Sequence, residues 1–116
     1  MFGRPRLKSV SASQASKQIA ENGAVLIDVR DPGEWAAGHA PQATHVPLGR
    51  LLAGETLKTE GRPVIAVCRS GSRSSQAAAA LAARGLEVTN LSGGMAAWQR
   101  AGLPVVTEAG APGRVA

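Results

Sequence analysis

The chain has 116 residues, 44% of them hydrophobic, which is enough for one domain core and too little for two. Aromatic residues make up 3%, with one Phe, two Trp and no Tyr, so the stacking platforms of single-strand nucleic-acid binders are excluded. The net charge is +5 without any long Lys/Arg run, and the single cysteine excludes an intrachain disulfide.

In chain order, 1–6 reads as a loose tail and Leu7 to Val10 as a short strand. Ser13 to Glu21 has helical spacing and stops at Asn22-Gly23. Ala24 to Val29 is nearly all apolar, the pattern of a strand covered on both faces. Asp31, Pro32 and Glu34 spell a helix start, with the helix ending near Gly38. Thr44 to Val46 reads as a brief strand, and Leu48 to Leu57 as a helix or helical turn. Pro63 to Val67 is the second buried strand, and Cys68 follows it at once. Ser74 to Ala83 is a strong helix by propensity, stopped at Gly85. Glu87 to Leu91 reads as a strand, Met95 to Ala101 as a helix, and 107–116 as a second loose tail.

Strands alternating with helices predict an α/β fold with a parallel sheet and helices on both faces. Ligands of such sheets bind at the carboxyl ends of strands, where Cys68 lies. The segment Cys68-Arg69-Ser70-Gly71-Ser72-Arg73 joins that strand to the helix at Ser74. Amides of a tight loop can form an anion nest, and the helix adds its positive end. Arg69 and Arg73 add charge, and Gly71 permits the curl. A thiolate well populated near neutral pH is therefore expected. The plain alternative is a buried structural cysteine, which does not require such a loop. A nucleotide loop is disfavoured, because neither GxxxxGK[ST] nor GxGxxG occurs.

The loop resembles the active-site loop of the rhodanese superfamily, C-R-x-G-x-R. Asp28-Val29-Arg30 with Glu34-Trp35 and Gly38-His39 resembles that family's upstream motif. Leu91-Ser92-Gly93-Gly94-Met95 with Ala97-Trp98 resembles its closing motif. Ala40 and Gln42 depart from the usual aliphatic and glycine residues of the upstream turn.

The resemblance implies a domain over 7–106 with a five-stranded parallel sheet. It also implies sulfur transfer through a Cys68 persulfide, from an anionic donor such as thiosulfate to a thiol or dithiol acceptor, a protein among them, or to cyanide. It implies no cofactor and no metal, and no nucleic acid or membrane enters the reading. Phosphatase relatives carry a loop one residue longer, so Arg73 five positions after Cys68 favours sulfur over phosphate or arsenate chemistry. A non-enzymatic sulfur-carrier or partner-docking module is the other alternative. With no apolar signal core and no spanning run, the expected location is cytoplasmic.

Asp28 and Arg30 carry two readings: support of the catalytic loop, or solvation of a strand end. Ser72 and Ser74 are candidate hydroxyl donors to the sulfur, and Ser74 is also a candidate N-cap. Trp35 and Trp98 are expected as core anchors. His39 and His45 are expected to be structural rather than general bases. Gly93-Gly94 is expected to let the chain approach the sheet end closely.

Overall fold

A computed structural model describes residues 8–116. The expected tail 1–6 and Leu7 lie outside the described residues. Five strands, β1 (Lys8–Val10), β2 (Val25–Asp28), β3 (Thr44–His45), β4 (Val64–Val67) and β5 (Val88–Leu91), form one sheet in the order β1-β5-β4-β2-β3. Every pairing is parallel. Five helices alternate with them: α1 (Ala12–Asn22), α2 (Pro32–Ala37), α3 (Leu48–Leu52), α4 (Ser72–Ala83) and α5 (Gly94–Arg100). Among the described residues no helix is long and apolar enough to cross a membrane.

The apolar runs of β2 and β4 divide by strand alternation between two cores. Ile27, Val29, Val64, Ala66 and Cys68 join Ala77, Ala78 and Leu81 of α4 and Leu51 of α3. Leu26, Ile65 and Val67 join Ala12 and Ala15 of α1 and Met95 and Trp98 of α5. The sheet therefore carries α3 and α4 on one face and α1 and α5 on the other. The helices leaving the adjacent strands β4 and β5 pass to opposite faces. That is the arrangement which opens a crevice at the strands' carboxyl ends.

Three expectations are corrected. The helix from Leu48 stops at Leu52, not Leu57. Arg84, beyond α4, donates to the carbonyls of Leu51 at 2.5 Å and Glu55 at 2.9 Å, and holds the irregular chain that follows in place of further helical turns. The ending 107–116 is not loose. Gly113 N–H donates to the Val105 carbonyl at 2.8 Å and Arg114 N–H to that of Ala37 at 3.0 Å, so backbone bonds anchor a segment with few apolar side chains. Trp98 is fully buried, but Trp35 is only half-buried. The Trp35 ring stacks with His39 and with His45 at centroid distances of 3.5 and 4.7 Å, and its Nε1 donates to Glu108 Oε1 at 2.6 Å. An indole with a polar edge suits such a wet boundary better than the core.

Candidate active site

Cys68 ends the apolar run of β4, and its side chain points to the face covered by α4. The chain then turns through Arg69, Ser70 and Gly71. Gly71 adopts φ +123°, a conformation side-chain-bearing residues rarely reach, and serves as the N-cap of α4. This turn starts the helix at Ser72, so Ser74 lies inside the first turn instead of capping it. Ser74 is fully buried, and its Oγ faces inward to Cys68 Sγ at 3.3 Å and to the Gly71 carbonyl at 3.2 Å. The Gly71 N–H donates to Sγ at 3.0 Å. Ser72 is exposed and takes no part in this ring.

Cys68 is 1% exposed, and burial pushes its thiol pKa up. The Ser74 hydroxyl, with the backbone amides of Ser74, Gly71 and Ser70, outweighs that burial and brings the thiol below its ordinary value. The sulfur thus faces N–H and O–H donors from the loop and the first turn of α4.

The two arginines, expected to add charge beside Cys68, each have a partner of their own. Arg73 forms a two-pronged ion pair with Glu34 of α2, Nη1–Oε1 at 2.5 Å and Nη2–Oε2 at 2.9 Å. The Arg73 guanidinium holds the Glu34 carboxyl down at about 2, and Arg73 is itself raised by Glu34. Glu34 also accepts from the Asp31 N–H at 3.1 Å, so it keeps the helix-start role read from the sequence and adds a second. Arg69 is exposed, and its Nε donates to the main-chain oxygen of Ala116 at 2.8 Å.

Among the described residues Asp28 and Arg30 make no hydrogen bond to the loop. They are both fully buried and paired with each other, with Nη2–Oδ2 at 2.8 Å. Arg30 Nη2 also donates to the Gly38 carbonyl at the end of α2. Their connection to the loop is indirect, through α2 and Glu34. His39 Nδ1 lies 2.8 Å from the Trp35 carbonyl and His45 Nε2 lies 2.7 Å from the Arg30 carbonyl, so both rings are tied to backbone. Among the described residues no three His, Cys, Asp or Glu side chains cluster as metal ligands.

Sequence reasoning missed Asn90. From β5 its Oδ1 accepts from Ser74 Oγ at 2.5 Å, and its Nδ2 donates to Ser75 Oγ at 3.0 Å. The only sequence signal was a polar residue inside an otherwise half-apolar strand beside the loop strand. Gly94 closes the site from below. The amides of Met95 and Ala96 donate to the Cys68 and Arg69 carbonyls at 2.8 and 3.1 Å. A Cβ on Gly94 would overlap those two carbonyls, and its φ of +58° also favours glycine.

Residues 11–101 match the rhodanese-like domain. The chain belongs to the rhodanese-like family. This rhodanese-like chain is 37% identical to a sulfurtransferase of Allochromatium vinosum over 106 residues, covering 90% of this chain and 99% of the relative. It is also 37% identical to an uncharacterized protein of Synechocystis sp., over 87% of this chain and 58% of that longer relative. Its fold overlays the crystal structure of a rhodanese-related protein from Thermoplasma volcanium with a TM-score of 0.78 and 27% identity, covering 87% of this chain and 99% of the other. The parallel five-stranded sheet expected from the sequence is that of the rhodanese fold.

Proposed function

We propose that this chain is a sulfurtransferase in which Cys68 is the nucleophile. The carrying observation is the ring of donors around Sγ: the Gly71 amide at 3.0 Å, the Ser74 hydroxyl at 3.3 Å and a thiol pKa below its ordinary value. A thiolate held this way attacks the outer sulfur of a donor such as thiosulfate. The sulfur–sulfur bond of the donor breaks, and sulfite leaves with the bonding pair. Cys68 retains the outer sulfur as a persulfide, whose negative charge faces the same amides. A thiol or cyanide then takes that sulfur and returns the Cys68 thiolate. The short loop, with Arg73 five positions after Cys68, supports sulfur over phosphate as cargo.

Glu34 neutralises Arg73, so the Ser74 hydroxyl and the loop amides, rather than paired guanidiniums, are the groups that favour the anionic sulfur. The Ser70, Gly71 and Ser74 amides are preorganised by the loop and the first turn of α4, and need no rearrangement as charge develops. The sulfurtransferase of Allochromatium vinosum, matched along nearly its full length, supports the same reading.

The test is intact-mass measurement after incubation with thiosulfate. A gain of one sulfur atom on wild type, absent in Cys68→Ser, is expected. No gain with thiosulfate or with an organic persulfide donor would overturn the reading in favour of a docking module.

A further inference from the structure

We infer that Asn90 is a positioning residue that competes with the Cys68 sulfur for the Ser74 hydroxyl proton, and so limits how firmly the thiolate is held. The role rests on the sulfurtransferase reading, with Cys68 as nucleophile, and adds the residue that tunes that nucleophile.

Ser74 has one hydroxyl proton and is fully buried, away from water. Its Oγ faces three acceptors: Asn90 Oδ1 at 2.5 Å, the Gly71 carbonyl at 3.2 Å and Cys68 Sγ at 3.3 Å. Asn90 reaches the site from β5, where it lies in register with Ala66 of the neighbouring β4. The orientation of its amide is fixed from the other side. Ser75 Oγ donates to the Gly71 carbonyl at 2.7 Å, which leaves its lone pairs to accept, and Asn90 Nδ2 donates to it at 3.0 Å. The oxygen edge of the amide is therefore the one turned to Ser74.

The acceptors differ in strength with the state of the sulfur. A neutral thiol sulfur, or the inner sulfur of a persulfide, accepts weakly, and the proton then rests on the amide oxygen. A thiolate is a charged acceptor and draws the proton to Sγ. That turn of the hydroxyl breaks its bond to Asn90. Ionisation thus gains a hydrogen bond at sulfur and loses one at the amide. Without the Asn90 oxygen the loss disappears, and the thiolate is held more firmly. The intrinsic nucleophilicity of a thiolate falls as its thiol pKa falls, so a sulfur that must attack a donor benefits from this restraint.

The discharge step uses the same hydroxyl. The acceptor thiolate bonds to the outer sulfur, and the Sγ–S bond breaks with its electron pair on Sγ. The Ser74 proton then swings from Asn90 to the charge that forms there. The charged groups near the sulfur stay outside this exchange. Arg73 of α4 acts on the sulfur by charge and is paired with Glu34 and 3.9 Å from Asp31, and Arg69 of the loop is exposed.

The experiment measures the pH profile of iodoacetamide alkylation of Cys68 in full-length protein, for wild type, Asn90→Leu, Ser74→Ala and the double variant. Leu keeps the approximate size of Asn and removes both amide atoms. Asn90→Leu is expected to move the profile to lower pH, opposite to Ser74→Ala, with alkylation on the acid side of the midpoint about threefold faster than wild type. In the Ser74→Ala background the same substitution is expected to leave the profile where Ser74→Ala alone puts it. Asn90→Val repeats the measurement with a smaller side chain suited to a strand, should the Leu variant not fold. A mere brace of the loop would behave otherwise: its loss loosens the amides around Sγ and moves the profile to higher pH in both backgrounds. That result, or an unchanged profile in Asn90→Leu and Asn90→Val, would overturn the role of Asn90. Alkylation needs no sulfur donor, so failure of wild type to load sulfur would strike the sulfurtransferase reading and leave the Asn90 measurement readable.

Discussion

Asn90 Oδ1 lies 2.5 Å from Ser74 Oγ, the same hydroxyl that faces Cys68 Sγ at 3.3 Å. One proton on Ser74 thus has both an amide oxygen and a sulfur within reach. The neutral thiol leaves that proton to Asn90. An ionised sulfur competes for it, because hydrogen bonds to a charged acceptor are the stronger ones. Strand β5 thereby fixes the position of a group that acts on the end of β4.

The first prediction concerns Ser74→Ala. Removing the hydroxyl leaves burial less opposed, so the Cys68 thiol pKa moves up. The pH profile of iodoacetamide alkylation is expected to shift to higher pH, with the rate near neutrality falling roughly tenfold. An unchanged profile would show that the amides alone hold the thiolate.

Glu34 supplies the second prediction. Its carboxyl is lowered from 4.5 to about 2, chiefly by the Arg73 guanidinium. A depressed folded-state pKa gives stability that is fully present above the unfolded value and is lost as pH falls toward the folded one. The pair is partly exposed, so screening reduces the effect to about 1–2 kcal/mol. Urea unfolding of wild type is expected to weaken by that amount between pH 5 and 2 relative to Glu34→Gln, whose curve should be flatter over that window.

The Asp28–Arg30 pair gives the third. Both side chains are fully buried, and among the described residues Arg30 Nη1 has no hydrogen-bond partner. Asp28→Asn would leave a buried guanidinium without its counter-charge, at a cost of about 3–5 kcal/mol. Thermal unfolding should show a large drop in Tm. Arg30→Met combined with Asp28→Asn should recover part of it, because the isolated charge is then gone.

The fourth is Gly94→Ala. The added methyl would meet the Cys68 and Arg69 carbonyls, and the positive φ disfavours any Cβ. A destabilisation of at least about 1–3 kcal/mol is expected, with loss of sulfur loading on the folded fraction. Gly102→Ala, which also has a positive φ but no neighbour within contact of an added Cβ, isolates the backbone contribution. If both variants load sulfur equally well, the close approach at Gly94 is not what shapes the loop.

The elements were largely legible because their signals are local. Apolar runs at Val25–Asp28 and Val64–Val67, turn glycines and helix starts each act over a few residues. The errors arose where distant groups decided. Arg84 holds the carbonyls of Leu51, at the end of α3, and of Glu55, beyond it, from 33 and 29 residues away. Trp35 has the residue type of a core anchor, yet His39, His45 and Glu108 offered it a stacked and hydrogen-bonded place at the surface.

The sequence by itself determined the alternation of strands and helices, the position of Cys68 at a strand end, and the Gly- and Ser-containing loop whose amides can face one sulfur. These follow from backbone geometry and residue chemistry within short windows. Only the tertiary structure decided which charges that sulfur meets. It spent Arg73 on Glu34, brought Asn90 against Ser74 and turned Arg69 to Ala116. The reason is that charges and hydrogen-bond partners are set by distance in space, which the crossover connections of a parallel sheet separate from distance along the chain.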